Sequence, residues 1–503
     1  MLVLLAFLVA VLGAGPLLIT RRNWSPAILA VAYFVAALLI LYLARPSTAP
    51  PLWGTFGFLV MMGWIGAAAV DGILEEKPTV LGLLPLAGIL AFGGRACSGC
   101  AAFRASDYAK MIGPLEERDW SKDVQPADPA HVRLVPPELA HWLGNKQLGE
   151  APGAIGSRFK IEKDSLTLQR IKGELWYVAP LEFQGWRAWH SAGHSPGYVM
   201  IHGEDPERKP IVKTDERFVY TPGAYWSDNL ERHLQSAGYR DVGLADFSLE
   251  IDEEGKAWWV VTAYEYTIGW GGEKPTGVVV VDPSTGDTVF HPVGKIPAWI
   301  DRVYPKSFVK TYIEDWGKYW DGWTNSWWGH KDIKQPEEPS LVYGSDGDPY
   351  WVTGITSNSG ADEALIGLIY TDVRTGVSTF YRASGGTDTA ILQAVDNKVA
   401  YKRQHGASPV IYNINGSMAS VVPLLGENHT QQGVAIVDVA RPQDVAIADD
   451  LQQALREYKR LMSRRGVSDS IAASDAIVKV AGKVERFAAE TRNGDTSYVL
   501  TVS

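Results

Sequence analysis

The sequence predicts an α+β protein. It would have an N-terminal anchor of three or four transmembrane helices, then tandem modules that each pair one helix with an antiparallel sheet, and finally a helix with a β-hairpin. Three observations carry this: uncharged stretches fill most of the first 96 residues, a glycine–aromatic motif recurs through the middle of the chain, and the segments between its copies place apolar residues at helical spacing. The implied boundaries are 1–96 for the anchor and 97–125 for a linker. Modules follow at 126–212, 213–300 and 301–388, with a degenerate fourth at 389–446 and a terminal helix and hairpin at 447–503.

The anchor comes first. Leu2 to Thr20 and Ser25 to Ala44 carry no charge, and a third uncharged run goes from Pro46 to Val70, ending at Asp71. At about 1.5 Å per residue each covers the roughly 30 Å hydrocarbon core, so three spans and a lipid-bilayer partner are expected. Thr79 to Gly94 is shorter and contains Pro85; it spans, tilts or re-enters. A signal peptide is the alternative for the first run, but Arg21 and Arg22 follow it where a basic n-region should precede. Arg21 and Arg22 favour an outside N-terminus, and four spans then put the bulk of the chain outside. Arg95, Arg104 and Lys110 pull the other way. The expected location is the cell membrane, with an extracytoplasmic bulk.

Charge is uneven. Formal net charge is −10, and only five basic and three acidic residues fall within 1–96, which leaves −12 on the rest. An acidic bulk disfavours nucleic-acid binding through a broad basic surface.

Cys97 and Cys100 are the two cysteines, as Cys-Ser-Gly-Cys. A C-x-x-C pair here is a candidate redox or disulfide site, half a metal site, a lipid anchor or an inert pair. No second C-x-x-C completes a zinc site, and Arg95 interrupts a lipidation pattern. No metal or cofactor is expected.

Gly173-Glu-Leu-Trp176-Tyr177-Val178, Gly255-Lys-Ala-Trp258-Trp259-Val260 and Gly347-Asp-Pro-Tyr350-Trp351-Val352 share G-x-x-[WY]-[WY]-V. A second glycine opens a β-rich strand 24, 22 and 20 residues on, at Gly197, Gly277 and Gly367. Units two and three then add Asp282-Pro-Ser-Thr-Gly286 and Asp372-Val-Arg-Thr-Gly376. There the aspartate can bond its own backbone and the glycine supplies positive φ, a hairpin signature. Gly416 and Gly433-Val-Ala-Ile-Val-Asp438 mark the degenerate fourth unit. Helices are expected after Pro137, after a cap at Ser227, and over Ser307 to Trp316.

On these motifs the units resemble PepSY-type modules, which pair a helix with a small antiparallel sheet and often close a strand with a V-D-x-x-T-G turn like Val281 to Gly286. The layout is similar to that of uncharacterised multi-spanning bacterial and phage-encoded membrane proteins. The resemblance implies a non-catalytic interaction or regulatory role facing the envelope. Unit one departs from the pattern, with His202-Gly-Glu-Asp-Pro206 in place of the aspartate turn.

The aromatic run Trp316, Tyr319, Trp320, Trp323, Trp327 and Trp328 puts five tryptophans in thirteen positions. Large rings with a polar edge suit a protein partner, a glycan, a membrane interface or a seam between units two and three. His190 and His194 stand four apart, but Gly193 and Pro196 break the helix a metal pair needs. Gly271 and Gly272 read as a turn, and Asp252, Glu253 and Glu254 as a solvated acidic turn.

Asp450 to Gly466 predicts an amphipathic helix bearing Arg456, Lys459, Arg460, Arg464 and Arg465. Strands are expected at Ala476 to Val484 and Thr496 to Val502 around Asn493-Gly494, in the manner of the opening hairpin of a partial OB-like barrel. The function expected is that of a non-enzymatic membrane-anchored binding or scaffolding protein with a protein or glycan partner. Two alternatives stand beside it: a cytoplasm-facing tether for nucleic acid or a replication complex, using the basic helix, and a membrane redox protein using Cys97 and Cys100.

Overall fold

The computed structural model describes residues 2–20, 24–44, 50–75, 88, 97–151, 155–357, 364–463, 484–492 and 495–502. Three helices lead: α1 (Leu2–Thr20), α2 (Trp24–Ala44) and α3 (Pro50–Glu75). They pack through Leu5, Ala6, Val9, Ala37, Leu41, Leu59 and Val60. Gly13 and Gly63 bring the backbones of α1 and α3 together, since a Cβ on Gly63 would lie 2.9 Å from the Gly13 carbonyl carbon.

The transmembrane anchor is corrected here. Among the described residues no helix is long and apolar enough to cross a membrane. The expectation rested on counting uncharged letters against the length that a span requires. The integral-membrane location, drawn from the same runs, falls with it. The fourth candidate, Thr79 to Gly94, lies outside the described residues except for Gly88.

The rest of the described chain is α+β. Among the described residues, four sheets of four to six strands follow one another, each led by a helix. A short helix α4 (Ala101–Ala109) precedes them. α5 (Pro137–Glu150) leads Thr167–Ile171, Glu174–Pro180, Tyr198–His202 and Ile211–Lys213. α6 (Leu230–Ser236) leads Gly243–Ile251, Ala257–Ile268, Gly271–Val281 and Thr288–Pro292. α7 (Lys306–Tyr319) leads a sheet built on Pro349–Ser357, Ala364–Asp372 and Ser378–Gly386; α8 (Asp388–Val399) leads one built on Ser417–Gly426, Gln431–Asp438 and Val445–Ala448.

All four sheets interrupt the first strand. In the first, Phe159–Lys160 and Thr167–Ile171 pair successive parts of the segment 174–183. In the second, a bulge lies between Ala245 and Phe247, at Asp246 with φ 49°. In the third and fourth, Lys334–Pro336 with Ser340–Tyr343, and Gln404–Gly406 with Val410–Ile414, share one partner strand.

The recurring motif now has a physical meaning. Its glycine turns the first strand into the second with φ of 91°, 90°, 89° and 83° at Gly173, Gly255, Gly347 and Gly416, a region that disfavours a Cβ. The second aromatic is buried and donates to the segment leading into the unit's helix: Tyr177 Oη to Val135 O at 3.0 Å, Trp259 Nε1 to Tyr220 O at 2.8 Å, and Trp351 Nε1 to Tyr304 O at 2.9 Å. Unit four has the buried Ser420 at that place.

The third strand closes on a shared turn. Asp282 Oδ1 accepts from Ser284 N and Thr285 N at 2.8 and 3.1 Å, and Asp372 Oδ1 from Arg374 N and Thr375 N at 2.8 and 2.9 Å. Lys256 donates to Asp282 Oδ2 at 2.7 Å; against the upward push of partial burial, it and the turn amides hold that carboxyl below its ordinary range. In unit one His202 takes this place, opposite Trp176 as Asp372 is opposite Tyr350. Its Nδ1 accepts from Glu204 N at 3.3 Å and Asp205 N at 2.9 Å, while Nε2 faces Glu174 and Glu204 at 3.6 and 3.8 Å.

Each junction between units has a glutamate, buried at Glu182 and Glu250 and half-buried at Glu337, that holds the backbone at or ahead of the start of the next helix. Glu182 accepts from Thr221 Oγ1 at 3.1 Å and Gly223 N at 3.0 Å, Glu250 from Asp301 N at 3.0 Å, and Glu337 from Asp388 N at 2.7 Å. Burial pushes the Glu182 carboxyl up to about 7, and its two donors hold it partly back. Glu250 is pushed up by burial and then by Asp301, which itself accepts Tyr343 Oη at 2.7 Å; Glu337 is pushed up by burial. The apolar cores also cross the sheets. Val178, Phe218, Leu249 and Trp259 join units one and two, and Val352, Leu368, Ile391 and Val437 join three and four.

One leader stitches the array. Glu116–Arg118 pairs in parallel with Thr379–Tyr381, Asn413 donates to Val124 O and accepts Ala127 N, and Leu134 N and Val135 N both donate to Gly203 O.

Smaller expectations also shift. Asn229 caps α6, its side chain accepting Arg232 N at 3.3 Å, where Ser227 was expected to; Trp226–Asp228 is instead a 3-10 turn. The hairpin turn after Ile268 is Gly269-Trp270, because Gly271 pairs back to Ile268. His190 sits in the short helix Trp186–Ala192, which stops at left-handed Gly193, so His194 lies off that helix. α9 (Leu451–Ser463) buries Leu451, Ala454, Leu455, Tyr458 and Met462, with Val434, Ile436 and Ala446 of the fourth sheet in the same cluster. The last hairpin pairs Val484–Arg492 with Asp495–Val502: the second strand lies where Thr496–Val502 was expected, and the first begins at Val484 instead of ending there. Among the described residues no other strand joins it. Arg464, Arg465, most of Ala476–Val484 and the Asn493-Gly494 turn lie outside the described residues.

Candidate functional site

The aromatic run divides into a packed part and an exposed part. Trp316, on α7, is half-buried with its ring 6.3 Å from Phe380, and Lys334 lies over it. Tyr319 at the helix end meets Tyr108 of α4 at 6.5 Å. Beyond α7 the chain turns at Gly322 (φ 82°), makes the short helix Gly322–Thr324 and then a π turn over Asn325–Gly329. Asn325 is the pivot. It is buried, its Oδ1 accepts Lys331 N at 3.0 Å, its Nδ2 donates to Lys331 O at 2.9 Å, and its carbonyl accepts His330 N at 2.7 Å.

That pivot carries indoles outward. Trp320, Trp327 and Trp328 are 45%, 57% and 74% exposed. Trp323 meets Trp327 edge-on at 4.9 Å, and Trp327 stacks on Trp328 with centroids 5.1 Å apart and planes 1° from parallel. Lys334 lies 4.9 Å from the Trp320 ring. Asp315, close by on α7, has its carboxyl pushed up to about 6 by burial, with Lys318 opposing.

Cys97 and Cys100 are brought to the same neighbourhood through α4, which begins after Cys100 and packs against α7 and the segment 322–324. Phe103 of α4 is exposed beside them in sequence. Both thiols are free and exposed. Among the described residues no group of three or more His, Cys, Asp or Glu is arranged to hold a metal ion.

A separate concavity was not visible in the sequence. An open cleft of about 880 Å³ lies where the leader, the first sheet's Arg170, the third sheet's Val342–Asp346 and the fourth sheet's Ile411–Asn413 meet. Its tyrosines are committed to the junction. Tyr343 donates to Asp301 at 2.7 Å, Tyr350 to Asp346 at 3.1 Å, and Tyr381 to Asp123 at 3.4 Å; Tyr370 accepts Trp120 Nε1 at 3.2 Å, and Tyr412 accepts Arg133 N at 3.1 Å. Burial accordingly pushes the Tyr370 and Tyr412 hydroxyls up. Of the motif residues named from the sequence, Tyr350 and Asp372 line this cleft; the aromatic run and the two cysteines do not.

No family model matches the chain, and no curated protein matches it. Among solved structures, the crystal structure of cobalt-substituted Synechocystis ACO aligns at 9% identity over 55% of this chain and 48% of that one, with a TM-score of 0.14. The chain thus spans about half the length of that structure, and a likeness at this level carries no argument about fold or function.

Proposed function

We propose that this is a non-catalytic binding or scaffolding protein, whose PepSY-like units hold a rigid indole platform, Trp320, Trp327 and Trp328, against a protein partner. The observation that carries this is the pairing of exposure with rigidity: two stacked indoles stand more than half exposed on a turn pinned by the buried Asn325. Covering a half-exposed indole is worth about 2–3 kcal/mol, and tryptophans fixed in advance forfeit little entropy when they bind. Such rings are the usual anchors of protein interfaces.

The test is site-specific photo-cross-linking of the full chain in its native cell, with the photoreactive residue at position 328 and, as a control, at Tyr401, which is 80% exposed. A discrete protein adduct is expected from 328 and not from 401, and Trp327→Ala should abolish it. Equal, diffuse labelling at both sites would overturn the proposal, as would adducts to lipid or glycan alone.

A further inference from the structure

Cys97 and Cys100 form a short, accessible turn whose geometry suits a reversible bond between them. Cys97–Gly99 is a 3-10 turn, closed by Cys100 N donating to Cys97 O at 3.1 Å. With three residues per turn and about 2 Å of rise per residue, residues i and i+3 eclipse with their Cα atoms about 6 Å apart. That lies within the roughly 4.4–6.8 Å range of disulfides. Both side chains are exposed, so an exchange partner can reach either sulfur.

The turn is held on its far side. Tyr108 Oη donates to Gly99 O at 2.8 Å, and a Cβ on Gly269, at the tip of the second sheet's hairpin, would come within 2.6 Å of Gly99 N. Tyr108 and the hairpin tip therefore fix the backbone between the cysteines while their side chains remain free.

We infer that Cys97 and Cys100 are a redox-active pair, cycling between the dithiol and an intra-turn disulfide by exchange with glutathione disulfide or a protein disulfide. The thiolate of one cysteine attacks the incoming disulfide, breaking its S–S bond, forming a mixed disulfide and releasing one thiol. The second cysteine attacks the mixed disulfide, forming Cys97–Cys100 and releasing the other thiol. Two thiols are oxidised, one disulfide is reduced to two thiols, and the protons pass from the cysteines to the released thiolates.

The experiment equilibrates the full chain across glutathione buffers from fully reduced to strongly oxidised, quenches in acid, alkylates and reads the mass. A single transition is expected from a doubly alkylated species to one with no alkyl group and no glutathione, the doubly alkylated fraction falling at least tenfold. Cys97→Ser and Cys100→Ser should each convert that product into a mixed glutathione adduct. Two thiols that stay alkylatable throughout would overturn the inference, as would independent glutathionylation of both in the unaltered chain. The result bears on the thiol pair alone and is read separately from the indole platform.

Discussion

Unit two and unit one close the same turn with different chemistry. At the end of the third strand unit two uses a carboxylate, Asp282, whose one oxygen takes two backbone amides while the other takes Lys256. Unit one uses the ring nitrogen of His202 for the same two amides, i+2 and i+3. What the turn selects is an acceptor at one point beside the strand end, and charge is optional. The imidazole can serve only in the tautomer with a bare Nδ1, which leaves the Nε2 proton towards Glu174 and Glu204. Unit four keeps Asp438, whose Oδ1 accepts the Ala440 amide at 3.0 Å, in a wider turn returning through Asp444.

The largest expected effect tests whether the units share a fold for one reason. Trp259→Ala removes a fully buried ring and its bond to Tyr220 O, and should cost about 3–5 kcal/mol, read as a large fall in the midpoint of denaturant unfolding. Ser420→Ala at the matching place in unit four should change it by only about 1 kcal/mol or less. Equal costs would break the correspondence.

Next comes pH. Glu182 keeps its proton up to about pH 7 in the folded chain, against an ordinary value of 4.5. The folded state therefore binds the extra proton between those values. Its contribution is fully present below the ordinary range and is lost as pH rises through 7. The denaturant midpoint should fall between pH 5 and pH 8, and Glu182→Gln, which keeps an acceptor for Thr221 and Gly223, should shrink that fall. An undiminished fall would assign the pH dependence to other groups.

The smallest effect separates acceptor from charge. Asp372→Ala and His202→Ala should each lower stability by about 1 kcal/mol, whereas His202→Asn should recover most of the loss, since its Oδ1 can stand where Nδ1 stood. Thermal melts of the three variants decide it. Failure of the asparagine to rescue would mean that the ring's packing on Trp176, with centroids 4.7 Å apart, matters more than the acceptor.

Locality explains what the sequence made visible. Asp282 to Gly286 and Asp372 to Gly376 were legible because acceptor, amides and glycine lie within five residues. His202 was not, since histidine has no strong turn preference and its role rests on a ring nitrogen's direction. The junction glutamates were illegible for a different reason: Glu182 and Glu250 find their amides 41 and 51 residues away, from positions that do not correspond between units. The aromatic run announced itself by composition, but which indoles face out depends on the Asn325 pivot and on Phe380 from another strand. The anchor was read from uncharged letters alone, and among the described residues no helix is long and apolar enough to cross a membrane.

The leader that crosses three units sets an order of events for a chain emerging from the ribosome. Glu117 meets Arg382 265 residues later, and Val124 meets Asn413 after 289. Until those partners are synthesised, the strand at 116–118 has no edge to join and the first unit's entry segment hangs open at one end. At about 5–20 residues per second, the wait is some 15–60 seconds of synthesis. The array then closes as a loop, its earliest segment among the last to find a place, and a break in the third or fourth unit is felt at the beginning of the first.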